Sequence, residues 1–374
     1  MLICGGLGLM VSMLKNCLLM LTSVVICLVG LEIGLRAFNG LPVIPDRNLI
    51  AERANVVDLN TNAAAEHDPV LGWVQRPNLR FNPDRPDVSF TTGEYGVRMN
   101  QPEIRPLPNN AILAVGDSFT AGSEVGDAQS WPAQLERELG QAVVNAAVGG
   151  WGADQIVVRA EQLIPKLMPR LIIVSFISGD PERNQYRVYG GMSKSYFEID
   201  KGVLVPMNLP VPRPAGPGAS LSPLQRIFGY SYLVDFTMSH LGIERWFQVA
   251  TYVKVPVDYI RVTCLLLDRL KREADAKGVR LIFVMQYGGA EISQWQQRSA
   301  DAVAVLDCAR KIGIQSVDAW EPLKSVYAQG EDSLRALYNM LQGNNVYYHM
   351  SPAGNKLIAD LVAQAVRTPG VATK

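Results

Sequence analysis

One serine and a small set of histidines are the residues whose types and surroundings suit nucleophilic catalysis. Ser118 follows the apolar run 111–115 within Gly116-Asp117-Ser118. A buried strand ending there would present the serine at the carboxyl edge of a sheet, where open α/β folds bind ligands. Taken alone, Gly-Asp-Ser is a common tripeptide and favours an ordinary strand followed by a loop. A serine activated by an imidazole has only three partners to recruit in this chain: His67, His240 and His349.

His349 is the histidine with the more informative context. It precedes Ser351 and Pro352, which have the residue types of an N-cap and of a first helical position. An apolar-periodic segment follows them. The pattern therefore predicts that His349 lies in a loop leading into the last helix.

Gly-Asp-Ser near the start of a domain and His-x-Ser-Pro-x-Gly near its end together resemble the SGNH (GDSL) hydrolase family over about residues 111–366. The resemblance implies that Ser118 is the nucleophile and His349 the general base. It also implies that the amides of Ser118 and Gly150 bind the oxyanion, because Gly150 matches the family's Asn-x-x-x-x-Gly pattern from Asn145.

The segments between the two motifs alternate between apolar strand-like runs and amphipathic helices. This alternation predicts an α/β protein with a doubly wound, flavodoxin-like parallel sheet of about five strands. The predicted strands are 111–115, 143–148, 171–176, 279–285 and 315–317. The predicted helices are 130–139, 153–166, 257–277, 293–311 and 333–341.

Two positions depart from the family pattern. Gly179 stands before Asp180 where the family has an Asn that donates to the oxyanion, and Asn184 is the nearest substitute. Loss of one oxyanion donor costs about 2.7–4 kcal/mol in a serine protease. Val346 and Tyr347 stand where the family has an Asp that orients the histidine. The candidate replacements and supporting residues are Asn345, Asp318, a backbone carbonyl, Asp117 and Asp180.

The N-terminus predicts a membrane anchor with flanks over residues 1–40. The segment 13–33 is long enough to cross a bilayer if Lys15 and Glu32 reach the two interfaces. A cleaved signal peptide is the alternative, although no small-x-small site follows the apolar core. The ending Glu32 to Arg36 resembles the anchors of membrane-tethered bacterial SGNH proteins, which implies a single-pass inner-membrane protein with a periplasmic domain.

Three further segments are predicted after the anchor. Residues 41–108 form a linker and an irregular extension, residues 109–370 the SGNH-like domain, and residues 181–256 an insertion or lid within it. Cys264 and Cys308 each fall in a helical pattern and are predicted to be buried thiols.

Composition narrows the function classes. The chain has 35 basic and 35 acidic residues and no basic cluster, which argues against nucleic acid. Scattered histidines and unpaired cysteines predict no metal, and no cofactor is expected. The expected function is a serine esterase or O-acyltransferase that acts on acyl, first of all acetyl, esters of envelope or exported polysaccharide or on a small ester. The choice between water and a sugar as acceptor stays open.

A second hypothesis comes from a different class. A degenerate member of the same fold would retain the cleft and serve as a carbohydrate-binding or assembly factor of an envelope polysaccharide machinery. The two departures from the family pattern favour this hypothesis, whereas retention of Ser118 and His349 favours chemistry.

Overall fold

A computed structural model of the protein describes residues 4–46, 49, 64–82, 85, 87–213, 222–243, 246, 252–341 and 346–368, with side chains in the first helix given at Met13 and from Lys15 onward. The chain divides into two compact units. The first comprises residues 1–57 and 215–252. The second comprises residues 58–214 and 253–374.

The helices of the described residues are α1 (Cys4–Phe38), α2 (Ser118–Ala121), α3 (Trp131–Leu139), α4 (Ala153–Leu167), α5 (Pro223–Phe228), α6 (Tyr232–His240), α7 (Tyr259–Ala276), α8 (Gly289–Gln294), α9 (Ala300–Lys311), α10 (Trp320–Tyr327), α11 (Glu331–Arg335) and α12 (Pro352–Arg367). Short 3₁₀ turns occupy Glu94–Gly96, Asp127–Gln129 and Glu182–Gln185.

The strands are β1 (Ala65–Asp68), β2 (Gly72–Gln75), β3 (Arg80–Phe81), β4 (Phe90–Thr91), β5 (Ile112–Val115), β6 (Val143–Asn145), β7 (Leu171–Ile177), β8 (Tyr186–Tyr189), β9 (Met192–Ser193), β10 (Tyr196–Asp200), β11 (Val203–Met207), β12 (Val253–Lys254), β13 (Arg280–Gln286), β14 (Gln315–Asp318), β15 (Tyr338–Met340) and β16 (Tyr347–Met350).

A five-stranded parallel sheet forms the centre of the second unit, in the order β6-β5-β7-β13-β14. Numbered within the sheet this is 2-1-3-4-5, the flavodoxin-like order of a doubly wound fold. β5 is wholly buried and β7 nearly so, as expected for parallel strands covered on both faces. The predicted fold class is confirmed, and the order reverses between β5 and β7, the strands that precede Ser118 and Gly179.

Helices cover both faces of this sheet. α3 packs on α12, and α7 packs on α4 and α9. Ser130 and Gly140 bound α3 as predicted: the Ser130 hydroxyl accepts from the Ala133 amide, and Gly140 adopts a φ of 61°. Ser351 caps α12 in the same way, accepting from the Gly354 amide.

Three local predictions are wrong. The predicted helix 333–341 is the short helix α11 followed by strand β15, because the Tyr338 side chain is buried and donates to the Tyr287 carbonyl at 2.9 Å. β15 pairs with β16, so His349 lies in a strand outside the main sheet. The predicted helix 293–311 is split, because Ser299 caps a new helix at Ala300.

A disulfide joins α7 to α9 through Cys264 and Cys308, whose Cα atoms are 5.6 Å apart. The prediction of two buried thiols is therefore wrong. The cysteines face each other because the two helices pack side by side, a relationship that the separate helical patterns do not reveal.

The extension before the sheet contains more regular structure than the sequence suggested. β1 pairs with β2 and β3 with β4 as antiparallel hairpins. In the first hairpin the Asp68 carboxylate accepts from the Val70 and Leu71 amides, and Gly72 adopts a φ of 91°. These features form a tight turn that requires a glycine.

The segment predicted as a single insertion, 181–256, is divided between the two units. Residues 181–213 form β8 to β11 in the second unit, whereas α5 and α6 belong with α1 in the first. Within the first unit, Lys15–Phe38 has a mean hydropathy of 2.4 and is long enough to cross a membrane.

Candidate active site

Ser118 is the first residue of α2, immediately after the buried strand β5. A side chain at Gly116 would lie 2.2 Å from the Thr120 hydroxyl, so the turn out of the strand requires a glycine. The carboxylate of Asp117 caps α2 by accepting from the Phe119 amide at 2.9 Å. The serine is thereby held, half-buried, at the carboxyl edge of the sheet, with its own amide in the first turn of a helix.

A buried charged cluster supports this turn. The Arg183 guanidinium lies 2.7 Å from Asp180 and 3.5 Å from Asp117, and both carboxylates are buried. Burial and the charge of Asp117 raise the pKa of Asp180 well above its ordinary value, while Arg183 opposes that rise. Asp117 and Asp180 are therefore buried next to the turn that carries Ser118, and Arg183 holds both carboxylates there.

The Gly149–Gly150 turn lies beside the serine. A Cβ placed on Gly149 would be 3.6 Å from the Ser118 Cβ, and Gly150 adopts a φ of 79°. Trp73 of the extension holds this turn, because its indole N–H donates to the Gly149 carbonyl at 3.1 Å. This geometry is compatible with the oxyanion role predicted for the Gly150 amide, which stays a prediction.

Gly179 leaves open space at the end of β7. Among the described residues, apart from Gly179 and its two chain neighbours, no atom lies within 4 Å of the position that a Cβ would take there. Asn184 does not fill the gap, because its amide group donates to Thr263 at 2.8 Å and to the Tyr259 carbonyl at 3.5 Å. Its oxygen accepts from the Asp154 amide. The Asn184 side chain is therefore used inside the fold.

His349 lies in β16 and approaches α2, the helix that begins at Ser118. Its ring lies edge-on to Phe119, with ring centres 5.3 Å apart. Nδ1 lies 3.1 Å from Oε1 of Glu124. In the tautomer that donates from Nδ1 to this carboxylate, Nε2 is an acceptor and suits a general base. The Ser118 hydroxyl donates a long hydrogen bond of 3.4 Å to the Asp117 carboxylate.

Glu124 is the site residue that sequence reasoning missed. It lies six residues after Ser118, far from the position before His349 where the family carries its acid. Its φ is 67°, an uncommon backbone conformation for a residue other than glycine. Such strain concentrates at functional sites, but no sequence signal in Ser123-Glu124-Val125 announces it.

Arg98 clamps the loop that carries Glu124. This side chain is 1% exposed and donates to the carbonyls of Ala121, Gly122 and Val125, at 2.5 Å for Ala121 and 2.7 Å for Val125. It also lies 3.5 Å from Asp127. Burial lowers the pKa of Arg98 to about 10 against the opposing effect of Asp127, so the residue is charged at neutral pH.

The other predicted residues lie in different surroundings. Asp318 accepts from the Tyr287 hydroxyl at 2.9 Å and from Arg298 at 2.7 Å, so its contacts are within the domain. Asn345 lies outside the described residues. His67 contacts the Val211 carbonyl at 2.9 Å, a contact that joins two segments of the second unit. Among the described residues, His349 is the one histidine that contacts α2.

The strand order is that of a doubly wound, flavodoxin-like α/β fold, with Ser118 at the switch point of the sheet and His349 just before the last helix. Comparisons with protein-family models and with curated protein sequences find no match. Solved structures with a similar chain path include a putative GDSL-family lipolytic protein from Desulfitobacterium hafniense, at 14% identity, 69% coverage of this chain, 99% of that chain and a TM-score of 0.36.

Two further similar structures carry esterase or lipase names. An acetylxylan esterase from Geobacillus stearothermophilus is 13% identical over 72% of this chain and 100% of that chain, with a TM-score of 0.39. A lipase/acylhydrolase from Enterococcus faecalis is 11% identical over 68% of this chain and 95% of that chain, with a TM-score of 0.37.

Proposed function

We propose that the protein is a membrane-anchored serine esterase or O-acyltransferase that uses Ser118 and His349. The observation that carries the proposal is the convergence of three groups on one sheet edge: Ser118 at the start of a helix, the Gly149–Gly150 turn beside it, and His349 paired with Glu124 at 3.1 Å. Nucleophile, amide donors and an oriented base are the parts that acyl transfer requires.

In the proposed reaction the Ser118 oxygen forms a bond to the acyl carbon while its proton passes to Nε2 of His349. The amides of Ser118 and Gly150 stabilise the oxyanion. The ester C–O bond then breaks, and His349 returns the proton to the departing alcohol. Water or a sugar hydroxyl next gives its proton to His349 as its oxygen bonds to the acyl carbon. The bond between the acyl carbon and the Ser118 oxygen then breaks, His349 returns the proton to that oxygen, and an acid or a new ester is released.

Acyl esters of envelope or exported polysaccharide are the proposed substrates, with acetyl esters the first to test. The membrane assignment is supported by the apolar span Lys15–Phe38. The disulfide between Cys264 and Cys308 supports a periplasmic domain, because disulfides persist in oxidising compartments and are rare in the cytosol. The proposed location is the bacterial inner membrane, with a single spanning helix.

A fluorophosphonate probe tests the chemistry on the full-length protein in detergent. We expect labelling at Ser118, abolished in Ser118→Ala and strongly reduced in His349→Ala. Hydrolysis of acetyl esters and acetyl transfer to oligosaccharides then distinguish the two acceptors. A folded protein that does not react with the probe would contradict the proposal.

A non-catalytic binding or assembly role is the second candidate. The observation that favours it is the open space at Gly179, where the third oxyanion donor is absent. This candidate predicts an unreactive serine together with measurable binding of acetylated oligosaccharide to the same cleft.

A further inference from the structure

Unit one contains a pair of short helices whose apolar side chains are exposed. In α5, Leu224 is 65% and Ile227 67% exposed. None of the nine residues of α6 is buried, and Phe236 is 39% exposed. A helix with apolar residues around it and no burial is unusual in water. We call residues 222–243 the helical hairpin.

The hairpin is joined to the end of the anchor helix by charge and hydrogen bonds. The Glu32 carboxylate accepts from the Ser231 hydroxyl and from the amides of Tyr232 and Leu233, each at 2.8 Å. These amides form the first turn of α6, where a negative charge is favourable. An anchor residue thus caps a helix that lies 200 residues later in the sequence.

Arg36 completes this junction. Its side chain is 4% exposed and donates to Glu32 at 2.5 Å, to the Pro42 carbonyl at 3.0 Å and to the Tyr230 carbonyl. The two charges at the end of the anchor are therefore neutralised inside the unit. This arrangement satisfies the polar groups of a segment that would otherwise be costly to hold next to lipid.

Polar groups of the hairpin itself are also satisfied internally. The Gln225 amide donates to the Trp246 carbonyl at 2.7 Å, and the Trp246 indole N–H donates to Asp235 at 3.2 Å. His240 contacts the Phe236 carbonyl at 2.8 Å. The exposed apolar side chains also include Phe228, Leu241 and Ile243. They share the surface with the exposed polar residues Arg226, Thr237, Ser239 and His240.

The position of the junction along the anchor indicates what covers this surface. Seventeen residues separate Lys15 from Glu32, a helical rise of about 25 Å. A bilayer's hydrocarbon core is about 30 Å thick. If Lys15 reaches one interface, Glu32 lies near the other, so α6 begins where the anchor leaves the hydrocarbon. With nine residues, α6 is too short to span.

We infer that the helical hairpin is a second membrane contact, whose exposed apolar side chains insert among the headgroups and upper acyl chains beside the end of α1. The inference rests on the membrane anchoring proposed above. Its occupant is the lipid surface, because the apolar surface continues from the anchor through the Glu32–Arg36 junction. Apolar side chains of interfacial helices are buried about 5–10 Å into the boundary between headgroups and acyl chains.

Depth-dependent quenching tests the inference on the full-length protein in phosphatidylcholine and phosphatidylglycerol vesicles. The anchor cysteines are replaced by alanine, and an environment-sensitive fluorophore is attached to Ile227→Cys, Phe236→Cys or, as the matched anchor control, Val25→Cys. Lipids carrying a doxyl quencher near the headgroup or deep in the chain are compared. We expect a shallow-to-deep quenching ratio above one at positions 227 and 236, and below one at position 25.

The outcomes separate the inference from the proposed function. Quenching at position 25 but not at 227 and 236 overturns the hairpin contact and leaves the anchor. Absence of quenching at position 25 overturns the anchoring itself. Protection of 227 and 236 from both lipid and aqueous iodide quenchers, relieved when the protein is diluted in lipid, shows that a second copy covers the hairpin and also overturns the inference.

Discussion

Glu124 Oε1 lies 3.1 Å from Nδ1 of His349, although the two residues are 225 positions apart in the chain. Val346 and Tyr347 stand where the SGNH family, which the sequence resembles, carries its acid. The carboxylate next to Nδ1 of His349 therefore comes from the loop after α2, near the start of the domain, and not from the residues just before the histidine. The pair supplies the orienting partner that the proposed base His349 would need.

Replacement of Glu124 by Gln should lower turnover and the rate of fluorophosphonate labelling by about 10²- to 10⁴-fold, given the loss of about 10⁴ on the equivalent Asp-to-Asn change in a serine protease. An amide can donate to Nδ1 and thereby favour the wrong tautomer. The control is Glu103→Gln, at a glutamate that is 55% exposed. Equal labelling rates in both variants would remove Glu124 from the mechanism.

Introducing an amide at Gly179 should raise activity. The space beyond its Cα is open, so Gly179→Asn can supply a third donor to the oxyanion, worth up to about 10²- to 10³-fold in kcat. Gly179→Ala adds the Cβ without the amide and should change little. Steady-state hydrolysis of an acetyl ester measures both variants, and an Asn variant no faster than the Ala variant would argue against this placement.

Arg98 should matter for stability as well as for the site. Arg98→Met leaves Asp127 without its buried cation and several carbonyls without a donor, so we expect the free energy of unfolding to fall by about 3 kcal/mol. Arg98→Lys keeps the charge but lacks the fork that reaches several carbonyls. Chemical denaturation of both is compared with Arg105→Met, at an arginine that is 60% exposed. A loss no larger than that of the control would contradict the clamp.

Glu291 should make stability depend on pH. Removal from water raises the pKa of Glu291, against the hydrogen bond from Ser178. A carboxyl whose pKa is higher in the folded state stabilises the fold while protonated. That contribution is lost as pH rises from the unfolded value of about 4.3 through the folded pKa.

Glu291→Gln removes this titration. The difference in unfolding free energy, variant minus wild type, should therefore increase between pH 4 and pH 8. Asp332→Asn, at a fully exposed carboxylate, serves as the control. Denaturation curves at several pH values check the prediction, and a difference that is flat or falls with pH would refute it.

The disulfide between α7 and α9 closes a loop with a sequence separation of 44 residues. Cys264→Ser with Cys308→Ser should lower the free energy of unfolding by about 2–4 kcal/mol, because the open loop gains entropy in the unfolded chain. Thiol counting on the wild-type protein under denaturing conditions should find these two cysteines unreactive until a reductant is added. Free thiols at Cys264 and Cys308 in freshly purified protein would count against a periplasmic domain.

Sequence patterns predicted the parts of the fold that depend on local periodicity. Apolar runs located all five sheet strands, and Ser130, Gly140 and Ser351 marked helix ends correctly, because caps and breakers act within a few residues. The pair of motifs around Ser118 and His349 pointed to one sheet edge. For Ser118 chain order gives the reason, since a residue that follows a parallel strand lies at the carboxyl edge of the sheet. His349 lies in β16, outside that sheet.

The features that sequence did not predict depend on contacts between distant segments. Glu124 contacts His349 because the pairing of β15 with β16 holds the histidine in place. Arg98 binds several backbone carbonyls that come together only in the folded loop. Tyr338 forms part of a strand because its hydroxyl finds the Tyr287 carbonyl. None of these relationships has a periodicity or a spacing to detect.

Trp73 has a practical consequence for shortening the protein. The tryptophan holds the Gly149–Gly150 turn and is itself only 1% exposed, so the segment before the first sheet strand is part of the site's framework. A fragment beginning at residue 109 would keep Ser118, Glu124 and His349 yet lose both Trp73 and Arg98. If that fragment were inactive, the cause would be the missing framework residues. A version without the anchor should therefore begin no later than Ala65, where the first hairpin starts.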